Sequence, residues 1–286
     1  MLKICTASAV GAVLATCSAG QADINESYSN DFSLATTPWS TYEGTHHGSS
    51  FITTHNGNSD LQLVSDGQPG TIGMWTTGDY YFAGKSLTSY TASFDFSFNT
   101  NGNGGLGDGF SFCFGNMSDL SGNRWEGGEE GLQAFYQDGQ GMSIGFDTYG
   151  SNSTEARWGS SSIALGPEFG PEWWEHSNNS NYDDALDNQG NIIINWDINT
   201  GLQVGIDWGP DPITGHWNDA LNTGFFTWPG GYDMTGWTFG FVGRNGGIDN
   251  DILIDNLNID YTFVPTPGAI AVLGMGMFAG TRRRRH

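Results

Sequence analysis

Three stretches of this chain carry oxygens that could do chemistry. They are Gly107-Asp108-Gly109-Phe110, Glu126-Gly127-Gly128-Glu129-Glu130-Gly131, and Gly145-Phe146-Asp147-Thr148-Tyr149-Gly150-Ser151-Asn152 followed by Glu155. In the third, Asp147 ends a run of alternating residues, the chain turns through Gly150, and Asn152 and Glu155 follow. Carboxylate, carbonyl and amide oxygens so close together suit a hard cation such as Ca²⁺, although the spacing is not that of an EF-hand loop. On spacing alone, a solvated acidic loop is the first reading and the cation site the second. A neutral ligand is the other compatible chemistry, and a sugar is the case that the family resemblance given below implies. A sugar's vicinal hydroxyls donate and accept together, so a carboxylate, an amide and a glycine N–H make a matching set. Tyr149, Trp125 and Trp158 are the rings that could stack on a sugar face. For each Trp taken singly, packing in the core or at its rim is the first expectation.

Other chemistries lack their residues. A retaining glycosidase needs two carboxyls about 5–5.5 Å apart, yet the strand holding Asp147 offers only Gly145 two positions earlier. Glu172 and Glu175 flank Trp173-Trp174 in a loop rich in Gly and Pro. No Gly-x-Ser-x-Gly elbow occurs. The histidines are scattered apart from the adjacent pair His46-His47, so they form no helical metal pair. Catalysis is therefore not expected. Asp249, Asp251 and Asp255 form a second acidic group, read first as turn formers that bond local backbone and second as a cation site.

These residues need a scaffold, and the scaffold reads as strands. Phe94, Phe96 and Phe98 alternate with small or polar residues, as do Phe110, Phe112 and Phe114, then Met142, Ile144 and Phe146. Leu202, Val204, Ile206 and Trp208 repeat the pattern, then Trp237, Phe239 and Phe241, then Leu257, Ile259, Tyr261 and Phe263. Successive strand side chains point to opposite faces, so each run has one oily face. Two such sheets bury those faces against each other. Outside the chain ends no helical stripe stands out, and no linker divides the body. The fold class predicted is all-β: one antiparallel β-sandwich over residues 23–263.

Charge narrows the partners. The 286 residues include 31 Asp+Glu against 9 Lys+Arg, and five of the nine bases, Lys3 and Arg282 to Arg285, lie at the ends. The body keeps only Lys85, Arg124, Arg157 and Arg244. A phosphate-binding surface needs clustered bases, so nucleic acid is excluded and anionic membrane surfaces are disfavoured. The 11 Trp, 18 Phe and 10 Tyr argue for a packed fold, because disordered chains are poor in aromatics.

Both ends read as addresses. Residues 1–22 have the basic start, apolar stretch and small residues of a secretory signal peptide. Its removal takes Cys5 and Cys17 and leaves Cys113 alone, so no internal disulfide or Cys-based zinc site is expected. Residues 264–286 run Val264-Pro265-Thr266-Pro267-Gly268, then an apolar stretch read as a short helix, then four arginines. That stretch is shorter than the ~20 residues of a comfortable span. Pro-x-Pro, an apolar run and an Arg-rich end resemble the bacterial PEP-CTERM sorting signal, with Thr266 where the commonest version has Glu. The resemblance implies an exosortase-type enzyme as partner, only transient contact with the membrane through the tail, and a destination outside the cell or in the envelope or extracellular matrix.

In their order, and on an all-β background, the three stretches resemble the L-type lectin family, the legume-lectin-like, concanavalin A-type jelly roll. The closing Gly243-Arg244-Asn245-Gly246-Gly247 and Ile254-Asp255-Asn256-Leu257-Asn258-Ile259 resemble the last strands of its bacterial members. The resemblance implies a carbohydrate-binding protein that is not an enzyme. It assigns Asp108, a backbone donor at Gly127 or Gly128, and Asn152 to the sugar. It assigns Asp147, the Tyr149 carbonyl, Asn152 and Glu155 to one Ca²⁺. Gly145 stands where the family's transition-metal site takes a Glu, and Ser160-Ser161-Ser162-Ile163 where it takes a His, so one metal is implied rather than two. The alternative is a structural envelope or matrix protein that keeps the sandwich without the sugar site.

Overall fold

The computed structural model describes residues 23–32, 40–43, 50–55, 58–65, 67, 70–76, 85–99, 108–116, 141–148, 153–159, 161–168, 189–207, 237–247 and 250–265. The signal peptide and almost all of the sorting tail lie outside this set.

Two antiparallel sheets make the sandwich that the alternation predicts. The first holds β1 (Ile24–Asn30), β3 (Phe51–His55), β4 (Asn58–Val64), β6 (Lys85–Asn99), β11 (Gln189–Asp197), β12 (Gly201–Asp207) and β14 (Asp251–Pro265). Its order is β12-β11-β6-β14-β4-β3, with β1 also paired to β14. The second holds β2 (Ser40–Glu43), β5 (Ile72–Thr76), β7 (Gly109–Gly115), β8 (Gly141–Asp147), β9 (Ser153–Trp158), β10 (Ser161–Glu168) and β13 (Thr238–Arg244). Its order is β10-β9-β8-β7-β13-β5-β2. β14 runs to Pro265, which pairs with Lys85, so the first two residues of the expected tail belong to the sheet.

The oily faces meet as an aromatic layer. Phe94 of the first sheet lies edge-on to Phe241 at 4.8 Å and stacks on Phe112 at 5.8 Å, both in the second. Within the second sheet Phe110 stacks on Phe146 at 4.9 Å and Phe112 on Phe239 at 5.7 Å. Such pairs contribute roughly 0.5–1.5 kcal/mol each beyond the area they bury. Trp158 lies in the same core beside Trp237, with centroids 5.7 Å apart, which is the packing role expected first for it.

Two local devices shape the sheets. β14 bulges between Asp255 and Asn258, where its second neighbour changes from β4 to β1. Asn256 takes the left-handed conformation there, φ 50°, which Asn tolerates better than most residues. Its N–H donates to Asp255 at 2.7 Å and its amide to Asp95 at 2.8 Å. Asp255 thus bonds local backbone, as the turn reading has it, and Asp251 accepts from Gln62 at 2.6 Å. Asp249 lies outside the described residues. Burial chiefly, and then the Asp95 and Asp31 charges, raise the Asp255 carboxyl above its usual range, against the lowering pull of the Asn256 N–H.

The second device is a close approach of the sheets. Gly73 and Gly243 are cross-strand partners, and both face Leu63 of β4. A Cβ on Gly73 would land on the Leu63 carbonyl oxygen, and one on Gly243 would lie 2.9 Å from Leu63 Cβ. Cys113 is fully buried, and burial pushes its thiol up to about 12 against the opposing Ser111 hydrogen bond. Reactive thiols need thiolate character and access, so Cys113 packs rather than reacts.

Candidate functional site

The site is assembled by register. β7 lies between β8 and β13, and Gly109 faces Asp147 on one side and Arg244 on the other. Asp108 immediately precedes Gly109, so the pairing brings Asp108, Asp147 and Arg244 to one end of the second sheet. Gly109 makes the turn possible. Its φ of 129° strains any other residue, and a Cβ would run into the Phe146 carbonyl oxygen. With that turn made, the Asp108 carbonyl accepts the Thr148 N–H at 3.1 Å, which ties the entry of β7 to the exit of β8.

Both carboxylates are sunk into the protein, Asp108 at 6% exposure and Asp147 at 2%. Buried carboxylates need charge partners and hydrogen bonds. For Asp108 the charge partner is Arg244, whose Nε lies 3.1 Å from Oδ2. Gly246 backs the same carboxylate so closely that a Cβ there would strike Oδ1.

The segment carrying Gly246 is held by Asn245, which is fully buried and bonded on every side. Its N–H donates to Thr71 O at 2.9 Å, and its amide nitrogen donates to Ser65 O at 3.0 Å and Asn250 O at 2.9 Å. Its Oδ1 accepts Asn250 N–H at 3.3 Å. Gly70 N–H closes the arrangement on Gly246 O at 2.9 Å. Neutral amides thus fix the walls while one ion pair fixes the acceptor.

Glu155 faces Gly145, two residues before Asp147 on the same face of β8. Diagonal neighbours of this kind lie about 7–8 Å apart. The Glu155 carboxylate already has a partner. Arg157 meets Oε2 through Nε at 2.8 Å and through Nη2 at 2.7 Å.

The structure therefore brings Asp108 and Asp147 together and places Glu155 nearby on an arginine. Gly127, Gly128, Tyr149, Asn152 and Trp125 lie outside the described residues. Among the described residues no three His, Cys, Asp or Glu side chains cluster as a metal site. What does suit a hard cation is the donor chemistry: Asp147 supplies a deeply buried carboxylate oxygen in a region with more acids than bases. Sequence reasoning gave Arg244, Asn245 and Gly246 no role. Two signals were available: the closing stretch that holds them resembles the last strands of the lectin family, and Arg244 is one of four bases in the body.

No protein-family model matches the sequence, and no curated protein matches it. Solved structures do match the fold. Peanut lectin is 14% identical, with 85% of this chain and 100% of that chain covered at a TM-score of 0.58. Lectin UEA-II complexed with galactose is 14% identical, covering 82% and 98% at 0.54. The exoplasmic/lumenal domain of VIP36 in its Ca²⁺/Man2-bound form is 15% identical, covering 82% and 86% at 0.52. The chain has the L-type lectin sandwich fold. Its similar structures span legume lectins and the VIP36 lumenal domain, and the likeness is one of fold.

Proposed function

We propose that this chain is an exported carbohydrate-binding protein whose sugar site is built on Asp108 and assisted by one Ca²⁺, and that it is not an enzyme. The observation that carries the reading is the buried Asp108 carboxylate, held by Arg244 and backed by Gly246 next to Asp147, on an L-type lectin sandwich. A carboxylate offers about four lone-pair positions. In this reading the same carboxylate accepts from Arg244 Nε and from the vicinal hydroxyls of a neutral sugar. Gly127 or Gly128 donates a backbone N–H, and Asn152 both donates and accepts. Asp147 is the main Ca²⁺ ligand, with the Tyr149 carbonyl, Asn152 and Glu155 as the further oxygens. The ion supplies charge neutralisation and fixes the loop after β8. Glu155 joins only if it leaves Arg157, so Asp147 carries the larger share. The galactose and Ca²⁺/Man2 of the similar structures support a sugar as ligand.

Calorimetry on the full chain, with a glycan array run with and without Ca²⁺, tests this. Asp147→Ala is expected to lose both ion and sugar, and Asp108→Ala to lose the sugar and keep the ion. A bound ion stabilises the native state by mass action, so EDTA is expected to lower the melting temperature of the wild type and of Asp108→Ala, but hardly that of Asp147→Ala. Absent Ca²⁺ binding by the wild type, together with intact glycan binding by Asp108→Ala, would leave a sandwich with a structural role in the envelope or matrix.

Export rests on residues 1–22 and sorting on residues 264–286, with an exosortase-type partner. Mass spectrometry of exported protein is expected to show a chain lacking Arg282 to Arg285. Retention of all four overturns the processing.

A further inference from the structure

The outer face of the first sheet carries a groove of about 630 Å³, on the other sheet from Asp108. Register defines its floor. Asn25, Thr262, Ser89, Asp197 and Gly201 form one row across β1, β14, β6, β11 and β12. Ser27, Asp260, Thr91 and Asn195 form the next row on the same face. Five strands span four spacings of about 4.8 Å, or roughly 19 Å, so the groove has the reach of a chain rather than of a single sugar ring.

The hydrogen bonds of these rows are polarised. Thr262 Oγ1 donates to Asn25 Oδ1 at 2.8 Å, and Thr91 Oγ1 donates to Asn195 Oδ1 at 2.8 Å. Both amide oxygens are thereby used, and neither Nδ2 donates to another described residue. Asp197 Oδ1 accepts the Asn199 and Thr200 N–H groups at 2.7 and 3.2 Å, which orders the turn into β12. Its second oxygen and the Asp260 carboxylate remain as acceptors. The groove thus presents two amide donors and two carboxylate acceptors, one of each in each of two adjacent rows.

That pattern selects among ligands. Glu26, Asp197 and Asp260 line the groove, and no base does among the described residues, so an anionic ligand is repelled. A cationic amine needs acceptors alone and leaves both amide donors unmatched. Tyr90, Trp196 and Tyr261 are buried, so they offer a cation no open ring face. A neutral polyhydroxylated chain uses donors and acceptors together. We propose that this groove is a second binding site, for a linear neutral polysaccharide lying across the strands. It is independent of the Asp108 site, so one molecule can hold two chains on opposite faces.

Calorimetry on the full chain tests the proposal with neutral hexasaccharides of the glucan, mannan and xylan types, an oligogalacturonate of equal length, and spermine. Four proteins are compared: the wild type, Asp108→Ala, the Asn25→Ala/Asn195→Ala double variant, and Ser89→Trp, which fills the middle of the groove from an outward position. At least one neutral hexasaccharide is expected to bind the wild type and Asp108→Ala equally. Loss of its hydrogen bonds is expected to weaken binding about tenfold in the double variant, with a similar loss in Ser89→Trp. Oligogalacturonate is expected not to bind. Binding that vanishes in Asp108→Ala and survives both groove variants overturns the groove and leaves the Asp108 site standing. Binding that is lost only in the groove variants upholds the groove and leaves the Asp108 site to its own test with Ca²⁺. Preference for spermine, or no neutral probe bound by the wild type, also overturns the proposal.

Discussion

Gly73→Ala is expected to destabilise the protein by about 3 kcal/mol or more, the upper end of overpacking effects. The added methyl meets a backbone carbonyl, that of Leu63, with its carbon 2.7 Å away. A strand carbonyl cannot rotate aside, so the sheets must separate or β4 must shift. Gly243→Ala sits opposite in the same pair, yet its obstacle is the Leu63 side chain, Cβ at 2.9 Å and Cδ1 at 3.3 Å. Cδ1 can turn away and Cβ needs to give only by a few tenths of an ångström with its strand, so a loss of about 1–2 kcal/mol is expected there. Leu63→Ala separates the two cases. It removes Cδ1 but keeps the closer Cβ, so it relieves only part of the Gly243→Ala contact, and those two changes couple by about 0.5 kcal/mol. It leaves the Leu63 carbonyl in place and does nothing for Gly73→Ala. Denaturant unfolding of the five variants measures this. Equal losses at the two glycines, or coupling at Gly73, would mean that the backbone is not the obstacle.

The contrast between these glycines shows what was legible in the sequence. The alternating runs through Phe94, Phe110, Met142, Leu202, Phe239 and Leu257 name core residues that are buried wherever they are described, Trp208 lying outside the described residues, because period two is a local property. The order of the strands is not local. β1 (INESYSN) has almost no apolar alternation and forms by pairing with the far end of the chain, Ile24 with Phe263. Nothing near Gly73 in sequence tells that it faces Leu63.

The site divides in the same way. Asp108 and Asp147 stand at strand ends in recognisable stretches, and register brings both to one end of the second sheet. Arg244 reaches Asp108 only through the pairing of β13 with β7, which no short motif encodes. Arg157 is different. It follows Glu155 by two residues on one strand, so period two already puts both on one face. An arginine beside a proposed calcium ligand was readable from spacing alone.

Arg244→Met is expected to cost about 2 kcal/mol. Removing one partner of a buried ion pair costs roughly 3–5 kcal/mol, and the Arg244 side chain is 25% exposed, so part of that penalty is relieved by water. The loss comes from leaving Asp108 without its cation beside the deeply buried Asp147, more than from the contact itself. Asp108→Asn removes the charge that causes the penalty. The double variant Asp108→Asn/Arg244→Met is therefore expected to be more stable than Arg244→Met alone, a reversal that no sum of two losses produces. Losses that add within about 0.5 kcal/mol would show that the two groups do not act as a pair. The same double variant separates fold from recognition. Asparagine keeps the shape of the carboxylate but turns one acceptor into a donor, so a hydroxyl pair that needs two acceptors finds one. A folded double variant that no longer holds the sugar places the role of Asp108 in its lone pairs. One that still binds moves the sugar elsewhere on the sandwich.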